Sequence, residues 1–242
     1  MLWTAARYVL YTIGTSGWNR YHDVMPVPPI TTTSSNEIFM NHLLRNQLQQ
    51  TISTVALAME DELLADSVMR AAQITSDAMK RGNKLLVAGN GGSAADAQHL
   101  VAEFVSRLTV DRPALPAIAL TTDTSILTAI GNDYAYENVF ERQIEAIGCA
   151  GDVFLGISTS GNAKNLLKAL RICAGKGIQT IGYIGNEGGA MKSLCDIAVI
   201  VPSKVTMHIQ ECQLALEHIF CMMVERFYFG PEFGQLPQKL SE

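Results

Sequence analysis

Five short runs of apolar residues constrain this fold more than any other feature of the chain: LLVA at 85–88, AIAL at 117–120, DVFLGI at 152–157, TIGYI at 180–184 and IAVIVP at 197–202. Each is short for a helix and apolar at consecutive rather than alternate positions. That is the pattern of a strand buried on both faces, as parallel strands are. Between the runs lie stretches with helical spacing, near residues 93–107, 124–146, 162–175 and 188–193, and a last one covers 207–228. The alternation predicts an α/β domain built on a doubly wound, five-stranded parallel sheet. With 242 residues, 48% hydrophobic and 17% charged, the chain has apolar material for one such core plus an appendage.

Ahead of the sheet region the apolar residues Phe39, Leu43, Leu44, Leu48, Ile52, Val55, Met59, Leu63, Val68 and Met69 recur every three or four positions. This predicts an amphipathic arm over 37–81, as one long helix or two in succession. Ser34 with Glu37 reads as a capping box, and Pro26, Pro28, Pro29 and TTTSS form a linker before it. Residues 1–35 are therefore expected to be a poorly ordered appendage, 36–230 a single domain including the arm, and 231–242 a tail. The apolar stretch LWTAARYVLYTI is interrupted by Arg7 and lacks a small-residue cleavage site, so it reads as part of the appendage rather than a signal peptide. An arm of this length needs a large apolar surface to cover it, either the domain's own flank or the same arm of another subunit.

A formal net charge of −5 gives no broad basic field, which argues against nucleic acid or an anionic membrane surface as a partner. The five cysteines are odd in number and form no CxxC pair, a usage that fits a reducing cytoplasm better than a disulfide framework or a zinc finger.

Two loops carry the chemistry. The first run leads into Gly89-Asn90-Gly91-Gly92-Ser93 and the third into Ser158-Thr159-Ser160-Gly161-Asn162, each just ahead of a helical stretch. Small residues let a ligand approach the backbone, and helix amino ends present N–H groups to an anion. Neither loop has the GK[ST] ending of a Walker sequence or the spacing of a dinucleotide fingerprint. Either loop alone is equally what a capped tight turn requires; the pair points to a phosphate. His99 and Glu103 lie one turn apart on the helix after the first loop, while Gln210, Glu211 and His218 lie on the last. Imidazole, carboxylate and amide suit either proton transfer or a zinc-type site with open positions, and spacing does not separate the two. His22 and His42 fall outside the α/β region.

The stretches AGNGGSAADAQHLVAEF, RPALPAIAL, AIGNDYAYENVFERQ, GDVFLGISTSGNAKNLLKAL and IQECQLALEH resemble the sugar isomerase (SIS) fold, which is flavodoxin-like, and more closely the phosphoheptose isomerases. The resemblance spans about residues 36–230. It implies interconversion of sedoheptulose 7-phosphate and D-glycero-D-manno-heptose 7-phosphate, in the supply of heptose for lipopolysaccharide or another surface glycan. By the same resemblance Asn90, Gly91, Gly92 and Ser93 line the substrate loop, and Ser158, Thr159 and Ser160 hold the phosphate. Asn132 and Asp133, in a GND turn, meet sugar hydroxyls. His99, Glu103, Gln210 and His218 form a site for one zinc ion, with Glu103 and His218 exchanging protons with the substrate. The family is typically a homotetramer with sites at subunit interfaces. Ala163 departs from the family's usual serine and removes one phosphate donor. Two alternatives remain at this stage: isomerisation of another sugar phosphate, and a non-catalytic relative that binds the replication initiator DnaA, in which the glutamate at the Glu103 position is typically lost.

Overall fold

The computed structural model describes residues 35–233. The expected appendage up to Ser34, that capping serine itself, and the tail beyond 233 lie outside the described residues. Helix α1 (Ser35–Glu60) crosses a boundary between two compact units, Met1–His42 and Leu43–Glu242. The expected domain start at residue 36 thus falls within α1, and the larger unit is described below.

The arm is two helices, because Asp61 turns the chain out of α1 and caps α2 (Glu62–Lys80). Its extended backbone and its carboxylate, which accepts from the N–H groups of Leu63 and Leu64 at 3.0 Å, end one helix and start the next. The alternating region then gives β1 (Leu85–Gly89), α3 (Gly92–Val105), β2 (Ala117–Ala119), α4 (Thr124–Asp133), α5 (Glu141–Ile147), β3 (Val153–Ser158), α6 (Lys164–Lys176), β4 (Gln179–Ile184), β5 (Ile197–Ile200) and α7 (Thr206–Phe229). All five strands are parallel, in the order β2-β1-β3-β4-β5.

The buried runs split their side chains between two layers. Leu85 and Val87 of β1 pack with Leu64, Val68, Leu100, Phe104 and Phe220 from α2, α3 and α7. Leu86 and Ala88 pack with Ile130, Phe140, Ile144, Leu166 and Leu170 from α4, α5 and α6. A sheet covered on both faces has no polar strand face, which is why the runs are continuously apolar.

Two expected helices differ. The stretch 124–146 is interrupted after Asp133 by an irregular residue, Tyr134, and a single 3-10 turn at Tyr136–Asn138. The stretch 188–193 is a 3-10 turn, Asn186–Met191, in which Glu187, Gly188 and Gly189 all have positive φ.

The arm also divides in its packing. Helix α2 lies along α7 and β5, the domain's own flank, one of the two covers expected for the arm. Helix α1, from Leu43 on, buries only Thr54 and Ala58 and leaves Leu44, Leu48, Ile52, Val55 and Met59 as an exposed stripe.

Beneath α7, Glu217 is 1% exposed, and neither of its carboxyl oxygens has a hydrogen-bond partner among the described residues. Burial, reinforced by the Asp96 carboxylate, pushes this acid up to about 8. A folded-state value above the ordinary carboxyl range means that its contribution to stability is full in acid and is lost as pH rises towards and through about 8. The thermal midpoint should therefore fall between the ordinary carboxyl value of about 4.5 and about pH 8 and level off above that, and Glu217→Gln should remove most of that fall. A fall of the same size in the variant would assign it to another group.

Candidate functional site

The strand order determines where the two loops meet. From β1 the chain moves outward to β2 through α3 on one face, then returns past β1 to β3 through α4 and α5 on the other. The direction of winding reverses between β1 and β3, and the crevice beyond their carboxyl ends is where such sheets bind ligands. Gly89 stands in register with Ile157, so the two loops begin side by side.

Their glycines are required by close approach. A Cβ on Gly92 would run into the Gln210 side chain, and one on Gly161 would strike the backbone carbonyl of Gly188. Gly91 and Gly161 also hold φ of +57° and +66°. The second loop is backed by the 186–191 turn: Met191 N–H donates to the Gly161 carbonyl at 2.9 Å and Ala190 N–H to Asn162 Oδ1 at 3.0 Å.

The three hydroxyls of the second loop are not equivalent. Ser158 is buried and its Oγ accepts from Gly161 N–H at 3.1 Å; Thr159 is half-buried; Ser160 is exposed, with Oγ accepting from Asn162 N–H at 3.2 Å. Ala163 sits at the N-cap of α6 and offers no side-chain acceptor, leaving that helix end without a serine cap. In the first loop Ser93 is buried in the opening turn of α3.

Along α3 and α7 the structure brings three of the singled-out side chains together. His99 Nε2 lies 2.9 Å from His218 Nε2 and 3.3 Å from Glu103 Oε1, and the two imidazole rings meet edge-on. One ligand atom from each of His99, Glu103 and His218 falls within 4.8 Å of the others. Two imidazoles and a carboxylate at that spacing, with one side open to solvent, fit a divalent ion of the zinc type. A hydrogen bond between the two facing ring nitrogens requires one to donate and the other to accept.

Gln210 lies elsewhere, about two turns nearer the start of α7, its amide against Gly92. Its helical turn is tied to the arm. The buried His208 has Nδ1 3.1 Å from Glu211 Oε2 and Nε2 3.1 Å from Gln50 Oε1, while the Thr51 hydroxyl donates to Glu211 at 2.6 Å. The Thr51 hydroxyl, and then His208, hold the Glu211 carboxyl below its usual range. Asn132 and Asp133 are the last two residues of α4 rather than a turn, with Asn132 Nδ2 donating to Asp133 Oδ1 at 2.8 Å. Neither has a hydrogen bond to the two loops among the described residues.

Sequence reasoning missed three residues. Arg112, buried in an ion pair with Glu225 at 2.6 Å, donates to the carbonyls of Glu103 and Phe104 at 2.6 and 2.8 Å and so anchors the end of α3 that carries the carboxylate. Asn165 and Tyr136 both hydrogen-bond to Asn90. All three lie in stretches that carry the resemblance, Arg112 in RPALPAIAL, Tyr136 in AIGNDYAYENVFERQ and Asn165 in GDVFLGISTSGNAKNLLKAL, a signal that could have found them.

Two glycine- and hydroxyl-bearing loops at a sheet switch point, with a His-Glu-His cluster shared by α3 and α7, are the features to set beside known proteins. The profile of the SIS domain matches residues 48–185. Phosphoheptose isomerase from Aneurinibacillus thermoaerophilus is 50% identical over 194 residues, 80% of this chain and 98% of that protein. Phosphoheptose isomerase 2 from Campylobacter jejuni is 53% identical over 195 residues, 81% of this chain and 97% of its own length. Among solved structures, phosphoheptose isomerase GmhA from Neisseria gonorrhoeae aligns with a TM-score of 0.72 at 36% identity, over 77% of this chain and 98% of that one. The chain belongs to the phosphoheptose isomerase family of SIS-domain proteins.

Gly161→Ala tests the geometry of the second loop. A Cβ at that positive φ and against the Gly188 carbonyl should cost at least about 1–3 kcal/mol, read as a lower urea midpoint with an unchanged slope. An unchanged midpoint would mean the loop is not held as described.

Proposed function

We propose that the chain interconverts sedoheptulose 7-phosphate and D-glycero-D-manno-heptose 7-phosphate through an enediol. The observation that carries this reading is the spacing along one helix. The amino end of α3 closes the first loop, and His99, with Glu103 and His218 beside it, follows about 10 Å further along the helix axis. A phosphate held at the loops sets the other end of an extended sugar chain at that cluster. The relatives named phosphoheptose isomerase support the choice of a heptose.

The phosphate is held by N–H groups at the amino ends of α3 and α6 with hydroxyls of Thr159 and Ser160, remote binding that orients the reacting carbons. Glu103 removes a proton from C1 of the ketose as O2 gains one, which gives the enediol. His218 then delivers a proton to C2 while O1 loses its own, so no atom is gained or lost. His99, against both Glu103 and His218, orients the pair. His99, Glu103 and His218 are the residues that would hold one zinc ion; Gln210, the fourth expected ligand, has its amide against Gly92 instead. When bound, the ion would polarise the carbonyl oxygen.

The exposed stripe of α1 fits burial against the same helix of other copies, as in a homotetramer. No helix among the described residues is long and apolar enough to cross a membrane. We place the reaction in the cytoplasm, in heptose supply for lipopolysaccharide or a related glycan.

Glu103→Gln keeps shape and hydrogen bonding but removes the base, so kcat should fall about 100- to 10,000-fold with sugar-phosphate binding retained. Near-normal turnover in that variant would sink the assignment. Loss of activity in a chelator, restored by zinc, would support a metal at the cluster, and full activity in the chelator would remove it from the scheme. Light scattering on the full chain should give an oligomer; an active monomer would leave the α1 stripe unexplained. If the unmutated chain turns over no phosphorylated ketose, its role is binding alone.

A further inference from the structure

Asn90 joins three segments that sequence distance separates. Its Oδ1 accepts from Asn165 Nδ2 at 2.8 Å and from the Tyr136 hydroxyl at 3.1 Å, while its Nδ2 donates to Asn165 Oδ1 at 3.0 Å. Asn90 lies in the first loop. Asn165 lies in the first turn of the helix after the second loop, and Tyr136 in the 3-10 turn that follows Asn132 and Asp133. Asn165 is 4% exposed and Asn90 half-buried, so the pair is shielded on the Asn165 side.

The direction of every bond in the cluster follows from one backbone group. Leu166 N–H donates to Asn165 Oδ1 at 2.9 Å, and a backbone N–H can only donate. Asn165 must therefore turn its oxygen towards Leu166 and its amino group towards the oxygen of Asn90. Both lone pairs of Asn90 Oδ1 are then taken, by Asn165 and by Tyr136. What Asn90 has left is one Nδ2 hydrogen.

From this geometry we infer that Asn165 and Tyr136 are positioning residues that hold Asn90 as a hydrogen-bond donor to the sugar phosphate, and so bring the two loops and the 136–138 turn into one ligand-binding unit. The inference rests on the reading of the loops as a sugar-phosphate site. Its chemical content is a polarity: the ligand atom that meets Asn90 is an acceptor, a phosphate or hydroxyl oxygen. An amide free to turn over would accept and donate indifferently.

Tyr136 is 59% exposed, and removing its hydroxyl leaves packing intact. In the full chain, Tyr136→Phe should raise KM for sedoheptulose 7-phosphate about 2- to 10-fold, the range of one hydrogen bond, with kcat within about twofold and the thermal midpoint unchanged. Asn165→Asp keeps the acceptor for Leu166 but replaces the donor to Asn90 with an acceptor, and should raise KM at least about tenfold. The deciding comparison repeats both substitutions on an Asn90→Ala background, where neither should change KM further. Effects that persist without Asn90, or a folded Asn165→Asp variant with unmutated KM, overturn the inference. If Asn165→Asp does not fold, Tyr136→Phe with and without Asn90 decides alone. If the unmutated chain binds this sugar phosphate without converting it, the proposed reaction fails and the same comparison on dissociation constants still decides the role of Asn165 and Tyr136. A chain that binds no sugar phosphate overturns both.

Discussion

Because β1 pairs with β3 over five residues, Leu85 to Gly89 against Val153 to Ile157, the loops leaving the two strands start about one strand spacing apart. The helices that follow them, α3 and α6, are thrown to opposite faces of the sheet. Two helix amino ends then converge on one crevice from two sides, an arrangement no single strand-loop-helix unit provides. The remaining parts of the site depend on this pairing: α3 carries His99 and Glu103 away from the crevice on one face, α6 supplies Asn165 from the other, and Asn90 stands where the two can be linked.

That convergence is crowded, and the crowding determines which residues are small. Gly89 sits against the backbone of Ser93, Gly92 against Gln210, Gly161 against Gly188, and Gly189 against the carbonyls of Ser160 and Gly161. These glycines bring the first loop against α7 and the second loop against the 186–191 turn. Their contribution is proximity: with side chains in these places the loops would stand off from their supports, and the hydroxyls of Thr159 and Ser160 would lose a fixed relation to the helix ends.

The strands were legible because sheet burial on both faces writes itself as uninterrupted apolar runs, and the two ligand loops because glycine and hydroxyl residues directly follow two of those runs. The neighbour relation of β1 and β3 is not written in either run, since every strand here is equally apolar. The residues between α4 and α5 read as helix because Val139, Phe140 and Ile144 continue the apolar spacing, although in the structure they reach the core from beyond a break after Asp133. His99, Glu103 and His218 were readable as metal-capable or proton-transfer types, and the structure adds that they meet. Gln210 was placed on the last helix with His218, yet its amide lies against Gly92. The pairing of Asn165 and Tyr136 with Asn90 is not written locally: an amide pair across 75 positions and a phenol 46 positions away become partners only once the sheet order is known.

Helix α7 is where arm, core and site are mechanically continuous. Its first turn holds His208 and Glu211 against Gln50 and Thr51 of α1, with Gln210 between them set against the first ligand loop; its middle buries Glu217 and carries His218; its last turns hold Glu225 against Arg112, which in turn grips the carbonyl of Glu103. Along α7 the arm's seat at His208 and Glu211 lies within one helical turn of Gln210, and the His99–His218 contact follows about two turns further on. The exposed apolar stripe of α1 lies on the same helix as Thr51, so the arm's uncovered face and its seat against α7 belong to one element.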